Sequence, residues 1–215
     1  MMNADAEQSS KALEFAHGIL QESINGNKMI PGAFTLAEQY AKSYANADDA
    51  VDGLIRWQSS WNFTTGFVAG LGGLITLPVT IPFALLTSWV IQTRMVATIA
   101  ALYGHSLHDE KVRMAVLMTI AGDSAKEAAK EVGVTIGKKV TQVAIERISG
   151  QTIREINKRI GFRLMTKAGE RGAINLVKVV PVLGGVLGGA VDGGMCAVVG
   201  NAAKYTFRQP VPVNM

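Results

Sequence analysis

Four polar side chains stand in strongly apolar surroundings: Gln92 and Arg94 in "SWVIQTRMVATIAALYG", Asp123 in "TIAGDSA", and Asp192 in "GGAVDGGMC". An ionisable group in such a setting is costly unless something opposes its charge. Two chemistries follow. The charge is neutralised internally, as an ion pair or helix cap, or it faces a ligand or lipid. Arg94 with Asp192 is the first pairing to expect.

Other residue patterns point to less. His105 and His108, three apart, share a helix face and with Asp109 offer metal ligands, but no fourth ligand is evident, and the stretch after Gly104 reads as a solvated turn. "GVTIGKKV" at 133–140 falls one residue short of a P-loop, with Lys139 where Ser or Thr would hold magnesium. "GLGG" at 70–73 lacks the third glycine of a dinucleotide fingerprint and follows no strand. There is no Gly-x-Ser-x-Gly elbow, and the remaining histidine, His17, lies on an amphipathic helix. No catalytic residue, cofactor or metal is therefore assigned.

Charge is unevenly spread. Residues 1–56 hold four Lys/Arg against eight Asp/Glu, whereas residues 124–178 hold twelve against five. In "TIREINKRIGFRLMTK", Arg154, Lys158, Arg159, Arg163 and Lys167 form a basic ridge, and Ile153, Ile156, Ile160 and Leu164 form an apolar stripe. Such a helix suits either water or an anionic bilayer surface. Nucleic acid is not expected, because the ridge interleaves few aromatics beyond Phe162 and no helix-turn-helix pattern accompanies it. The single cysteine, Cys196, fits a reducing compartment, and the N-terminus lacks the basic-then-apolar pattern of a signal peptide. The expected location is cytoplasmic, peripheral to or partly inserted in the inner membrane.

These residues must be carried by helices. Leu13, Ala16, Ile19, Leu20 and Ile24 recur at helical spacing over Ala4–Ser23, and Asn25-Gly26-Asn27 ends that helix. Thr35 with Glu38 reads as a capping box that starts a second helix, and Asp48 and Asp49 start a third that runs toward Gly70. From Trp57 to Thr93 there are 37 residues without a charge, long enough to span a bilayer, where about 20 suffice. Pro78 and Pro82 break the run into helix, elbow and helix. Arg94 argues further against a crossing, since a charge at the bilayer centre costs about 2.5–3.5 kcal/mol on insertion scales. Further helices are expected near Glu110–Ala121, from Asp123 or Ser124 through Glu131, and over the basic ridge.

The last third is glycine-rich: "VVPVLGGVLGGAVDGGMCAVVG". Each glycine inside a helix costs about 0.8–1.0 kcal/mol relative to alanine, so close packing must offset the loss. Gly184/Gly188 leave a groove free of side chains, as do Gly66/Gly70 in the uncharged run, and the two segments are expected to pack together. The fold class is all-α: a single helical domain with two apolar Gly-rich helical segments packed at its centre.

The run "TGFVAGLGGLITLPVTIPFALLTSWVIQTRMVATIAALYG", followed by "AGDSAKEAAKEVGVTIGKK", "INKRIGFRLMTKAGERGAINLVKVVPVLGGVLGGAVDG" and "AAKYTF", resembles the EcsC protein family from about Ala33 to Phe207. Matching positions include Gly66, Gly70, Pro78, Pro82, Gln92, Arg94, Tyr103, Gly104, Asp123, Gly161, Pro181, Gly184, Gly188 and Asp192. Phe83 departs from the pattern, lying where an acidic residue is common in the family. The resemblance implies residues 1–32 as an N-terminal helix and loop, 33–208 as the family domain and 209–215 as a tail. It also implies a bacterial protein whose founding relative is encoded beside an ABC transporter. Expected partners are therefore anionic membrane lipid and a transporter component. The function to expect is non-enzymatic work at the cytoplasmic membrane face, with a soluble small-ligand binder or hydrolase, its pocket between the Gly-rich segments, as the alternative.

Overall fold

A computed structural model describes residues 2–26, 31–71, 83–133, 148–174 and 181–208. Among these the chain forms eight helices and no strand: α1 (Met2–Asn25), α2 (Ala33–Ser43), α3 (Ala47–Leu71), α4 (Phe83–Leu102), α5 (Glu110–Ala121), α6 (Asp123–Glu131), α7 (Gly150–Ile174) and α8 (Pro181–Phe207). The fold is all-α. The elbow at Pro78–Pro82 and the segment 134–147 lie outside the described residues.

Every residue from Gln92 to Ala100 is buried, because α4 is enclosed by α1, α2, α3, α5 and α8. A helix wrapped on all sides needs no polar face, which accounts for the uniformly apolar sequence around Arg94. On α1 the buried stripe is Ala16, Ile19, Leu20 and Ile24; it faces α4 and α7, so the C-terminal half of α1 contributes to the common core. On α7 the stripe is Ile153, Ile156 and Ile160.

Local chemistry sets the boundaries. Asn46 closes the start of α3 by accepting from the Asp49 backbone N at 2.9 Å and donating Nδ2 to Asp49 Oδ2 at 2.8 Å. Asp109 caps α5, accepting from the Lys111 backbone N at 2.8 Å. Gly104 ends the α4 region at φ +83°, a left-handed conformation that disfavours other residues. The expected Thr35 cap is wrong. α2 begins at Ala33 with Gly32 as its N-cap, and Thr35 is already inside the helix. Gly32 is needed there, since a Cβ would stand 2.3 Å from the Ile24 carbonyl oxygen.

The most extensive helix contact joins α3 and α8, which run antiparallel. Gly200 of α8 faces Ile55 of α3, Lys204 Nζ donates to Asp52 Oδ1 at 2.6 Å, and Arg208 Nη2 donates to Asp48 Oδ2 at 2.6 Å. The expected packing of Gly66 and Gly70 against Gly184 and Gly188 falls on positions whose surroundings lie outside the described residues. The close approach visible in side-chain detail lies elsewhere. A Cβ on Gly200 would come within 2.8 Å of Ile55 Cγ1, although Gly200 belongs to neither of the paired-glycine grooves.

Candidate functional site

Arg94 sits in the enclosed part of α4 and is only 6% exposed. Its Nη1 donates to the Pro31 carbonyl at 3.2 Å, and its Nη2 reaches Gln58 Oε1 on α3 only at 3.5 Å. Its Nε is buried without a partner. Among the described residues no carboxylate lies within ion-pair distance of this guanidinium. Burial pushes the Arg94 pKa down, and the Tyr40 phenol of α2 pulls it back up. The Tyr40 pKa in turn rises, chiefly through burial and then through Tyr44, with Arg94 opposing.

Unpartnered polar atoms concentrate here. Among the described residues six side-chain N or O atoms are buried without a hydrogen bond, and four of them are Gln58 Nε2, Ser59 Oγ, Thr93 Oγ1 and Arg94 Nε. All four come from adjacent positions on α3 and α4. Buried polar groups are normally satisfied by protein or by water, so these four atoms mark the helix pair where a partner is to be sought.

An aromatic edge runs beside it. Tyr40 and Tyr44 stack with centroids 5.9 Å apart, and the Tyr44 hydroxyl lies over Gly53, whose added Cβ would meet it at 2.2 Å. Gly53, Trp57 and Trp61 recur at spacing four and share one side of α3. Trp57 and Trp61 stack at 6.0 Å and are 49% and 50% exposed.

Of the four residues expected to act together, the side chains of Gln92 and Arg94 are described. Gln92 is buried on α4 but stands two positions from Arg94 and so points to another side of the helix. Asp123 is the first residue of α6 and Asp192 lies within α8, but their side chains lie outside the described residues, and so does the expected Arg94–Asp192 pair. On α7, Arg154 is exposed, Arg159 Nη1 donates to Glu131 Oε2 at 2.6 Å, and Lys158 Nζ lies 3.8 Å from Glu155 Oε2. The side chains of Arg163 and Lys167 lie outside the described residues. Gly66, Gly70, Gly184 and Gly188 are all helical.

The histidines serve packing. His105 Nε2 bonds the Phe207 carbonyl at 2.8 Å, and His108 stacks on Phe34 at 5.5 Å. Among the described residues no group of His, Cys, Asp or Glu is gathered as a metal requires. Cys196 is buried with its Sγ 3.7 Å from Met95 Sδ.

Sequence reasoning passed over Gln58, Tyr40 and the pair Trp57–Trp61. Gln58 could have been found from its position alone. It follows Val51, Leu54 and Ile55 at helical spacing, so a polar residue lies on the stripe that faces the core. Asn157 on α7 carries the same signature beside Ile153, Ile156 and Ile160 and is also buried, its Oδ1 without a partner.

The sequence profile of the EcsC protein family matches residues 6–209, a span that takes in α1 as well as the helices after it. No curated protein and no solved structure matches the chain.

Proposed function

The chain belongs to the EcsC protein family, and from that premise we propose that it is a non-enzymatic helical protein attached to the anionic cytoplasmic face of a bacterial membrane. The supporting observation is the Trp57–Trp61 step: two stacked, half-exposed indoles at the start of the 37-residue uncharged run. Tryptophan favours the bilayer interface, where its ring is buried and its N–H stays wet. Among the described residues no helix is long and apolar enough to cross a membrane, so the attachment proposed is to one face.

The basic ridge has a smaller part than its composition promises. Each Lys or Arg near an anionic surface contributes about 1 kcal/mol, but Glu131 and Glu155 already engage Arg159 and Lys158. Attachment then rests first on the aromatic step and second on charge. A transporter component, the partner implied by the family's founding member, would be met at that same face.

Flotation with phosphatidylcholine vesicles, with and without phosphatidylglycerol, tests this. The protein should float with the anionic vesicles and partly detach at high salt, and the double variant Trp57→Ser, Trp61→Ser should stay at the bottom. No flotation at any composition would overturn the proposal.

A further inference from the structure

The edge of a guanidinium that carries Nε and Nη2 is the fork that matches a carboxylate or phosphate with two parallel hydrogen bonds. In Arg94 that edge is unused: Nε has no partner, and Nη2 has only the 3.5 Å contact with Gln58 Oε1. The opposite corner, Nη1, is anchored on the Pro31 carbonyl, which fixes the plane of the group. Gln58 Nε2, on the same amide that Nη2 touches, is a further buried donor without an acceptor. Two buried donors of the Arg94–Gln58 pair, Arg94 Nε and Gln58 Nε2, therefore lack an acceptor among the described residues.

A structural arginine buried this deeply ordinarily meets a carboxylate or several carbonyls, because the cost of desolvating it is otherwise unmet. We propose that Arg94 and Gln58 form a binding site for a single oxyanion, a phosphate group, carried either by a lipid headgroup or by a free small molecule. The surface is near. Pro31, whose carbonyl holds Arg94 Nη1, is exposed and Tyr40 is half-buried, so the pair lies close to the surface at the start of α2. Exposed Trp57 adjoins Gln58 in the chain, which puts the site directly behind the proposed membrane-facing step, although the anion site does not depend on membrane attachment.

The test uses the full chain, with inorganic phosphate and phosphatidylglycerol vesicles as probes, and chloride at matched ionic strength and phosphatidylcholine vesicles as their controls. Thermal midpoint is the readout. Gln58→Glu is the decisive variant, since it places a carboxylate against the fork with almost no change of shape. It should raise the midpoint without any ligand and abolish the response to phosphate. Arg94→Lys, which keeps the charge but loses the fork, should weaken phosphate binding by on the order of tenfold or more. A response to phosphate alone identifies a free anion, and a response only to phosphatidylglycerol identifies a headgroup; either supports the site. No response to either probe, or a Gln58→Glu protein that responds as the parent does, overturns it. Flotation lost while the phosphate response persists would reject the membrane reading and leave this one standing.

Discussion

Positive charge is handled in opposite ways at two places along α3. At its N-terminal end, Asp48 accepts from Tyr103 Oη and from Arg208 Nη2, each at 2.6 Å, and Asp52 accepts from Lys204 at 2.6 Å. Three helices meet there, and each cation has a carboxylate within reach of water. Further along α3, at Gln58, the Arg94 of α4 is more deeply buried and, among the described residues, is offered only neutral acceptors, one of them at the limit of hydrogen bonding. The first region ties helices together through matched charges, and the second leaves a buried charge for which the proposed anion would be the partner.

The largest effect is expected from breaking the first region. Asp48→Ala removes two charge-assisted hydrogen bonds worth about 1.5–3 kcal/mol each when enclosed; at this half-exposed site the combined loss should be about 2–3 kcal/mol by denaturant unfolding. Loss below about 0.5 kcal/mol would mean that the Tyr103 and Arg208 bonds to Asp48 add nothing to the α3–α4–α8 junction. Arg94→Met sharpens the contrast from the other side. Replacing an uncompensated buried charge with an apolar chain of similar reach should leave stability unchanged or raise it by about 1–2 kcal/mol. A loss of about 3–5 kcal/mol, the signature of a broken buried ion pair, would show that a carboxylate such as Asp192 neutralises Arg94 after all.

Gly200→Ala probes the helix approach behind the clasp. The added methyl would press on the buried Ile55 side chain, with Cγ1, the nearest atom, at 2.8 Å, so the cost should be about 1 kcal/mol. No change would place α3 and α8 further apart than their register implies.

The smallest effects are those of pH. The Asp48 carboxyl is held below its usual value, first by the Tyr103 hydroxyl, against burial, with Arg208 and Lys204 assisting. Its contribution is complete above the ordinary carboxylate range and is lost as pH falls through the lowered folded value, below about 4. The Tyr103 hydroxyl is held above its usual value by burial and by its bond to Asp48. Its contribution lasts until pH passes about 10 and is then lost. Thermal midpoints measured across pH should therefore fall off less steeply at the acid end in Asp48→Asn and at the alkaline end in Tyr103→Phe. Identical profiles in parent and variants would disconnect this pair from stability.

Much of the fold was legible because single residues decide helix ends. Gly104 and the Asp48–Asp49 start needed no tertiary information, and α5 runs from Glu110 to Ala121 as expected. α2 was misjudged because its beginning is set by a steric contact, Gly32 against the Ile24 carbonyl, and that contact takes precedence over a good capping pattern two residues inside the helix. The candidate site was half legible. Arg94 announced itself as the one charge in an apolar run, but its neighbours come from Pro31, Tyr40 and Gln58, which no spacing in the sequence brings together. The engagement of one ridge residue was hidden for a related reason: the Glu131 that pairs with Arg159 lies on a different helix.

The claim on which the functional reading depends is that Trp57 and Trp61 enter the lipid interface. Quenching of tryptophan emission by brominated phospholipid in phosphatidylglycerol vesicles tests it directly. Trp89 provides the internal reference, since it is buried against Phe15, with ring centroids 5.9 Å apart, and should not meet lipid. The predicted result is strong quenching of the parent that disappears in Trp57→Phe, Trp61→Phe while the remaining Trp89 signal is unaffected. Emission from the parent that brominated lipid does not change, or quenching of equal size in the double variant, would contradict it.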